Sequence, residues 1–191
     1  MLLKRDNLRK HAIMLILLLI TIYVVYIIYI NYTFKPMKLA SEEYVKKLYF
    51  NNKTIMEFNG IGGKVKLFIG VNMPPTISPG MVQAMAIDIA LLSYTPSTPI
   101  FKGITVEVER IELNNKYITL DYYEPRIPAE SRGIYKFGYK IATELKEKPP
   151  INNVKANMTI HLKVRYITWI GIILEETHKV DLNLSLKIEY H

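Results

Sequence analysis

One uninterrupted apolar stretch constrains this chain more than any other feature. The nineteen residues from Ala12 to Ile30 carry no charged side chain, and Thr21 is their only plainly polar member. At about 1.5 Å per residue, a helix of this length measures about 28 Å, close to the ~30 Å hydrocarbon core of a bilayer. The sequence therefore predicts a transmembrane helix over residues 12–32, after a basic stub of residues 1–11.

Two other interpretations of this stretch fit less well. A cleaved signal peptide has a shorter apolar region and a cleavage site of small residues, and no such site follows Ile30. The buried helix of a globular core would show a polar face. Tyrosines suit the membrane–water interface, and they recur here at every third position towards the end of the stretch: Tyr23, Tyr26, Tyr29 and Tyr32. We therefore expect a retained anchor that contacts the lipid bilayer.

The basic residues predict the orientation of this anchor. Four of them precede it within seven positions: Lys4, Arg5, Arg9 and Lys10. Short segments rich in lysine and arginine stay on the cytoplasmic side of a span. The sequence thus predicts a single-pass protein of the cell membrane, with a cytoplasmic N-terminus and an extracytoplasmic C-terminal domain.

Composition excludes several kinds of site. The chain has no cysteine, so disulfides, thiolate nucleophiles and zinc–thiolate centres are ruled out. The formal net charge is +8, to which the stub contributes +3 from four basic residues and one acidic residue. No basic stripe with interleaved aromatic residues appears in the remainder, so we expect no nucleic-acid partner.

Residues 33–50 form a connector in this interpretation. Ser41 followed by Glu42 and Glu43 is typical of an N-cap with acidic residues in the first helical turn. This pattern predicts a short helix from residue 41 to about residue 49.

Residues 51–191 alternate between apolar and polar side chains, which is typical of strands with one buried face. The turn at Asn59–Gly63 predicts a hairpin. Residues 81–94 would also suit a helix, but proline-rich flanks favour a strand. The sequence predicts an all-β, immunoglobulin-like antiparallel sandwich, with strands at 53–58, 64–72, 83–93, 102–113, 116–123, 134–143, 154–169 and 173–190.

Few residues in this domain suggest chemistry. Glu175, Glu176 and His178 are too few for a convincing metal site. His161 and His178 could face each other across the last hairpin as a solvated pair. Asp88 stands alone among apolar residues, and we expect it at an outward strand position rather than as a buried acid. No nucleophile–base–acid set can be assembled, so we expect no catalytic residues and no cofactor, and the protein is not expected to be an enzyme.

Three sequons are candidates for N-glycosylation in an outward-facing domain: Asn52, Asn157 and Asn183. Asn52 precedes the first predicted strand and is the strongest candidate, whereas Asn157 and Asn183 fall on the polar phase of their strands, and strand positions are less usual acceptors than loops. A fourth sequon, at Asn31, lies too close to the membrane to be a good acceptor.

The tip of the last predicted hairpin is apolar on both faces. One set of residues continues the core phase: Ile170, Ile172 and Leu174. Another set falls on the otherwise polar phase, and we expect it to bind a partner: Ile167, Trp169 and Ile173. The alternatives are that another part of the same chain covers this second set, or that it meets the bilayer surface.

This layout of basic stub, single span and cysteine-free β domain resembles the single-pass surface and motor-anchoring proteins of archaea, such as archaellum stator subunits. The resemblance implies a domain that binds a surface-layer, filament or neighbouring membrane protein. The layout is also similar to a small, non-catalytic accessory subunit of a membrane oxidoreductase, which we keep as the alternative.

Overall fold

The computed structural model describes residues 2–73, 76–77, 82–115, 129–142 and 153–188. The chain begins with one long helix, α1 (Leu2–Thr33). Its segment Arg9–Thr33 is long and apolar enough to cross a membrane, and only 6% of its most apolar window is buried by the rest of the chain. A short helix, α2 (Glu42–Lys47), follows, and Ser41 caps it by accepting a hydrogen bond from the backbone N–H of Tyr44, as its sequence predicts.

The remainder forms two facing β-sheets. The described strands are β1 (Asn52–Gly60), β2 (Gly63–Asn72), β3 (Thr76–Ile77), β4 (Val82–Pro96), β5 (Phe101–Asn114), β6 (Ala129–Ser131), β7 (Ile134–Ala142), β8 (Asn153–Thr168) and β9 (Ile173–Ile188). One sheet has the order β1-β2-β4-β7-β6, which we call the five-stranded sheet. The four-stranded sheet has the order β3-β9-β8-β5. All pairings are antiparallel except the short parallel pair of β3 and β9.

Alternating apolar residues from both sheets meet in the core. Leu67 and Ile69 of β2 are fully buried, as is Leu162 of β8. The cross-strand partners of β8 and β9 follow one register without a shift from Asn153↔Lys187 to Ile167↔Ile173. This regular register keeps one face of the hairpin apolar and the other polar along most of its length.

Most predicted strands are confirmed within the described residues. From Val82 onward the ambiguous stretch belongs to β4, the longest strand of its sheet, and Asn59–Gly63 turns the β1–β2 hairpin. The structure adds two short strands that the sequence did not predict, β3 and β6. The predicted strand at 116–123 lies outside the described residues.

The connector between α1 and β1 packs into the sandwich. The backbone N–H of Met37 donates to the carbonyl of Ile104, and Met37 itself lies in the core between the sheets. The N–H of Ala40 then donates to the carbonyl of Leu91 at 2.8 Å. Farther along, the connector covers the outer face of the five-stranded sheet with a second apolar cluster that includes Val45, Phe50, Phe68 and Ala90. The connector is therefore part of the folded domain.

Candidate functional site

The β8–β9 hairpin ends in an apolar turn, residues 168–174, which we call the hairpin tip. The turn is tight: the N–H of Gly171 donates to the carbonyl of Thr168, and the N–H of Thr168 donates to the carbonyl of Ile172. Gly171 has a φ of 81°, a left-handed conformation that favours glycine. The side chains around it are exposed, by 63% for Trp169 and 49% for Ile172.

The three predicted partner-binding residues differ in their surroundings. Trp169 is exposed and Ile173 is partly buried. Ile167 is only 1% exposed, so the expectation that it faces a partner is wrong. Ile167 pairs with Gly103 across β5 and β8, and Pro36 lies directly against Gly103. The chain that follows α1 therefore covers this part of the four-stranded sheet, which was one of the alternatives considered.

The residues of the hairpin tip that alternate with the predicted partner-binding set also differ from expectation. Ile170, Ile172 and Leu174 were expected to continue the core, but they are all exposed. The core ends at Tyr166, whose ring lies so close to Gly62 that a Cβ there would be 2.1 Å from it. Beyond this level the five-stranded sheet no longer faces the hairpin. The hairpin tip therefore projects past the sandwich.

The hairpin tip contacts α1. The hydroxyl of Tyr23 donates to the carbonyl of Ile170 at 3.1 Å, and the hydroxyl of Tyr26 donates to the carbonyl of Gly171 at 3.3 Å. A Cβ at Gly171 would lie 2.7 Å from the Cδ1 atom of Ile27, so any larger residue there would have to displace the end of that side chain. The sequence pattern placed these tyrosines at an interface but gave no sign of their partner in the hairpin.

The hairpin contacts the N-terminal segment at two levels, within α1 and just beyond its end. The Arg165 guanidinium lies 5.5 Å from the centre of the Phe34 ring, whereas Ile170 meets Tyr23. β8 ends at Thr168, and the turn that follows returns to the helix at Tyr23. The hairpin therefore contacts the chain at both ends of the segment from Tyr23 to Phe34.

A basic side chain lies where the hairpin tip meets the end of α1. The Nζ atom of Lys102 donates to the Oδ1 atom of Asn31 at 2.5 Å and lies 5.8 Å from the centre of the Trp169 ring. The N–H of Trp169 donates to the carbonyl of Ile100, whose side chain is also exposed. An aromatic ring, a lysine and the end of an apolar helix thus share one level of the molecule.

A polar cluster closes the sandwich just above the hairpin tip. Oε1 of Glu176 accepts a hydrogen bond from the buried Tyr166 hydroxyl and lies 2.9 Å from Nε2 of His178, and Oε2 accepts from the N–H of Ile61. Burial alone would raise the pKa of Glu176, but these hydrogen bonds outweigh burial and hold the pKa below its ordinary value of 4.5. Burial, with Glu176 beside it, raises the pKa of Tyr166.

The two histidines of the last hairpin, which could have faced each other across it, do not do so. His178 stacks on Phe58 on the inner face, with ring centres 3.8 Å apart, whereas His161 lies on the outer face beside Arg110 and Glu112. Cross-strand neighbours point the same way, but His161 is opposite Lys179 and His178 opposite Leu162. The described residues contain no group of three or more His, Cys, Asp or Glu arranged to hold a metal ion.

Asp88 occupies an outward-facing position of β4, as predicted, but it is not solvated. Its exposed fraction is 5%, because the connector covers this face of the sheet. Oδ1 has no hydrogen-bond partner among the described residues. Burial raises the pKa of Asp88, and the cross-strand neighbour Lys136 opposes that shift.

The three candidate glycosylation sites lie together. Asn157 and Asn183 are exposed cross-strand partners on the outer face of the four-stranded sheet. The side-chain amide of Asn52 donates to the carbonyl of Asn183. These three residues, which are far apart in the sequence, therefore form one polar patch at the end of the sandwich farthest from α1.

Comparisons of the chain with protein-family models, with curated proteins and with solved structures find no match. Functional inference therefore depends on the geometry above.

Proposed function

We propose that this protein is a non-enzymatic, membrane-anchored module that presents a β-sandwich on the extracytoplasmic side for binding to a neighbouring membrane, filament or surface-layer protein. The observation that carries this proposal is the packed connector. Met37 enters the core directly after α1, and Val45 of the connector is completely buried. Such packing suits a module that holds a binding surface at a set position, rather than a domain on a loose tether.

Several contacts favour a retained anchor over a cleaved signal sequence. Tyr23 and Tyr26 bond to the hairpin tip, and Ile30 is almost fully buried. Cleavage after α1 would remove all of these partners and expose the turn that they cover. The basic residues before the span favour a cytoplasmic N-terminus.

We infer further that the sandwich is of the immunoglobulin type, which suits a binding module of this kind. In their order across the five-stranded sheet, β2, β4, β7 and β6 correspond to the A, B, E and D strands of that fold. In the four-stranded sheet, β5, β8 and β9 correspond to C, F and G. β1 would then be an added strand beside A. We keep the resemblance to archaeal surface proteins as part of the same proposal.

The edge strand β1 offers a surface for a protein partner. Among the described strands it is hydrogen-bonded as a strand only to β2. β9 contacts it near its ends, through Asn52 and Phe58, without strand pairing, and Ile55 in its middle is exposed. An open edge can accept a strand from another protein. Lys53 and Glu57 on the same strand would restrict that pairing to partners of matching charge.

Isolation of the protein from its own membranes tests the proposal. A photo-crosslinking residue at position 55 should capture a stoichiometric extracytoplasmic neighbour after mild detergent extraction, and the same residue at Glu43, which is exposed on α2, is the control. Capture of a redox enzyme subunit would instead support the accessory-subunit alternative. Equal labelling from both positions, with no stoichiometric product, would count against a specific partner at β1.

Protease accessibility tests the topology. Protease added to intact spheroplasts should digest the domain that follows residue 33. Complete protection until lysis would mean that the orientation is reversed.

A further inference from the structure

We propose that the hairpin tip is immersed in the outer leaflet of the bilayer that α1 spans, so that the protein meets the membrane through a helix and a β-turn together. This proposal rests on the membrane anchor in the proposed function. It assigns the exposed apolar residues Trp169, Ile170 and Ile172 to lipid rather than to a protein partner.

The depth follows from the register between the hairpin and α1. Basic residues up to Lys10 set the inner boundary of the span, and Ile170 bonds to Tyr23. From Ala12 to Tyr23 the helix rises only about 17 Å, well short of the ~30 Å hydrocarbon core. The bilayer must therefore extend beyond Tyr23 to about Ile30, which places Ile170 about 10 Å inside the outer boundary.

Backbone groups of the hairpin tip form hydrogen bonds within the protein, as a medium without water requires. Unpaired carbonyl and N–H groups in hydrocarbon cost several kcal/mol each. The carbonyls of Ile170 and Gly171 accept from tyrosine hydroxyls of α1, and the carbonyl of Ile172 accepts from both the N–H and the hydroxyl of Thr168. The Thr168 hydroxyl oxygen in turn accepts from the N–H of Ile172 at 2.8 Å. A turn in water would not require these partners, because water could supply them.

Along the proposed depth in the bilayer, the side chains change from apolar to charged, as the membrane–water interface requires. Ile170, deepest along α1, is purely apolar, and Trp169 lies one residue nearer the domain. Lys102 then reaches the level of Asn31, where its ammonium can meet lipid phosphates while staying beside the indole of Trp169. Tryptophan and lysine are the residues that mark the headgroup region in membrane proteins.

Because Trp169 is the only tryptophan in the chain, it reports directly on this arrangement. The full-length protein is reconstituted at high lipid excess into phosphatidylcholine vesicles whose acyl chains carry bromine either near the headgroup or near the bilayer centre. Emission from Trp169 should be lost to the headgroup-proximal bromine most strongly and should be protected from aqueous iodide. The matched control carries Trp169→Phe with Tyr49→Trp, because Tyr49 is 85% exposed at the far end of the domain. Its emission should show the opposite pattern.

Flotation of the same vesicles separates the possible failures. Iodide quenching of Trp169 without bromine quenching, in protein that floats with the vesicles, would overturn the immersion and leave the anchor standing. Protein that fails to float would overturn both. A further variant, Ile170→Asp, should float normally yet lose bromine quenching of Trp169, because a carboxylate draws the hairpin tip towards water. Unchanged quenching in that variant would contradict the assignment of Ile170 to lipid.

Discussion

The hydroxyl of Tyr166 and the carboxylate of Glu176 lie 2.5 Å apart on adjacent strands, at the end of the sandwich that faces α1. Tyr166 is fully buried, and the glycines of the β1–β2 turn lie directly against its ring. Glu176 also accepts from the backbone of that turn through Ile61. This one pair therefore joins both sheets at the point where the core ends.

Removing the phenolic hydroxyl should destabilise the protein. Tyr166→Phe leaves the ring in place but takes one donor from a partly buried carboxylate, a loss of about 1–3 kcal/mol. Thermal unfolding of the full chain in detergent should show a melting temperature several degrees lower. Tyr49→Phe, at an exposed tyrosine, should melt like the wild type. Equal melting temperatures for both variants would contradict the role given to this hydrogen bond.

The lowered pKa of Glu176 predicts a dependence of stability on acid. Because the folded state holds the ionised form more tightly than the unfolded chain does, the stabilisation is complete above pH 4.5 and is lost as pH falls through the lower folded pKa. Glu176→Gln should therefore reduce stability at pH 7 and flatten its decline in acid. Urea unfolding between pH 7 and pH 3 measures both effects, with Glu43→Gln on α2 as control. Parallel curves for Glu176→Gln and wild type would refute the prediction.

The connector should contribute substantially to stability. Phe50 is buried, and its ring fills the space above Gly70, where a Cβ would lie 2.5 Å from it. Phe50→Ala should cost about 3–5 kcal/mol, because it leaves a cavity in the outer cluster. Its neighbour Tyr49 is exposed, so Tyr49→Ala should change the free energy of unfolding by less than about 0.5 kcal/mol. A small effect at both positions would show that the connector is only loosely attached.

Asp88 should oppose folding at neutral pH. Burial raises its pKa above the ordinary value of 3.8, so the fold disfavours the ionised form, and stability declines as pH rises through the raised pKa. Asp88→Ala matches the alanine at position 90 on the same face and should raise stability at pH 7 by about 1–3 kcal/mol. The gain should shrink near pH 3. A loss of stability at pH 7 would mean that the carboxylate has a partner that stabilises it.

The sequons should compete with one another. Asn157 and Asn183 are directly opposite on adjacent strands, about 5 Å apart between Cα atoms, which is too close for two bulky glycans. If the protein is expressed in a glycosylating host, intact mass spectrometry should find at most one of these two sites occupied in any molecule. Asn157→Gln should raise occupancy at Asn183. Molecules that carry glycans at both positions would contradict this exclusion.

The sequence predicted the features that depend on local patterns. Alternation along β8 and β9 identified their buried faces, and the charges around Ser41 identified α2, because both signals arise from neighbours in the chain. The ambiguous stretch 81–94 was assigned correctly from its flanks. The layout of helix, connector and β domain follows from the same local evidence.

The errors concern contacts between distant segments. Nothing near Ile167 or Asp88 indicates that residues 34–50 cover them, because the apolar residues of the connector follow no regular period. His161 and His178 do not face each other, as the sequence allowed, because an offset of one residue in register moves a side chain to the other face of the sheet. The contact of Tyr23 with Ile170 spans 147 positions, and a single sequence carries no signal for it.

The packed connector has a consequence for the energetics of recognition. Asn157 and Asn183 lie about 26 Å along the strands from the level of Arg165 and Phe34, and the domain cannot vary that height by extending its connector. In the proposed membrane-anchored arrangement, a partner in the same membrane would search two dimensions for a surface whose orientation is already set. Little of the binding free energy would be lost in immobilising a mobile domain. The binding surface would therefore be presented to the partner at a high effective concentration, and even a small interface should suffice for association.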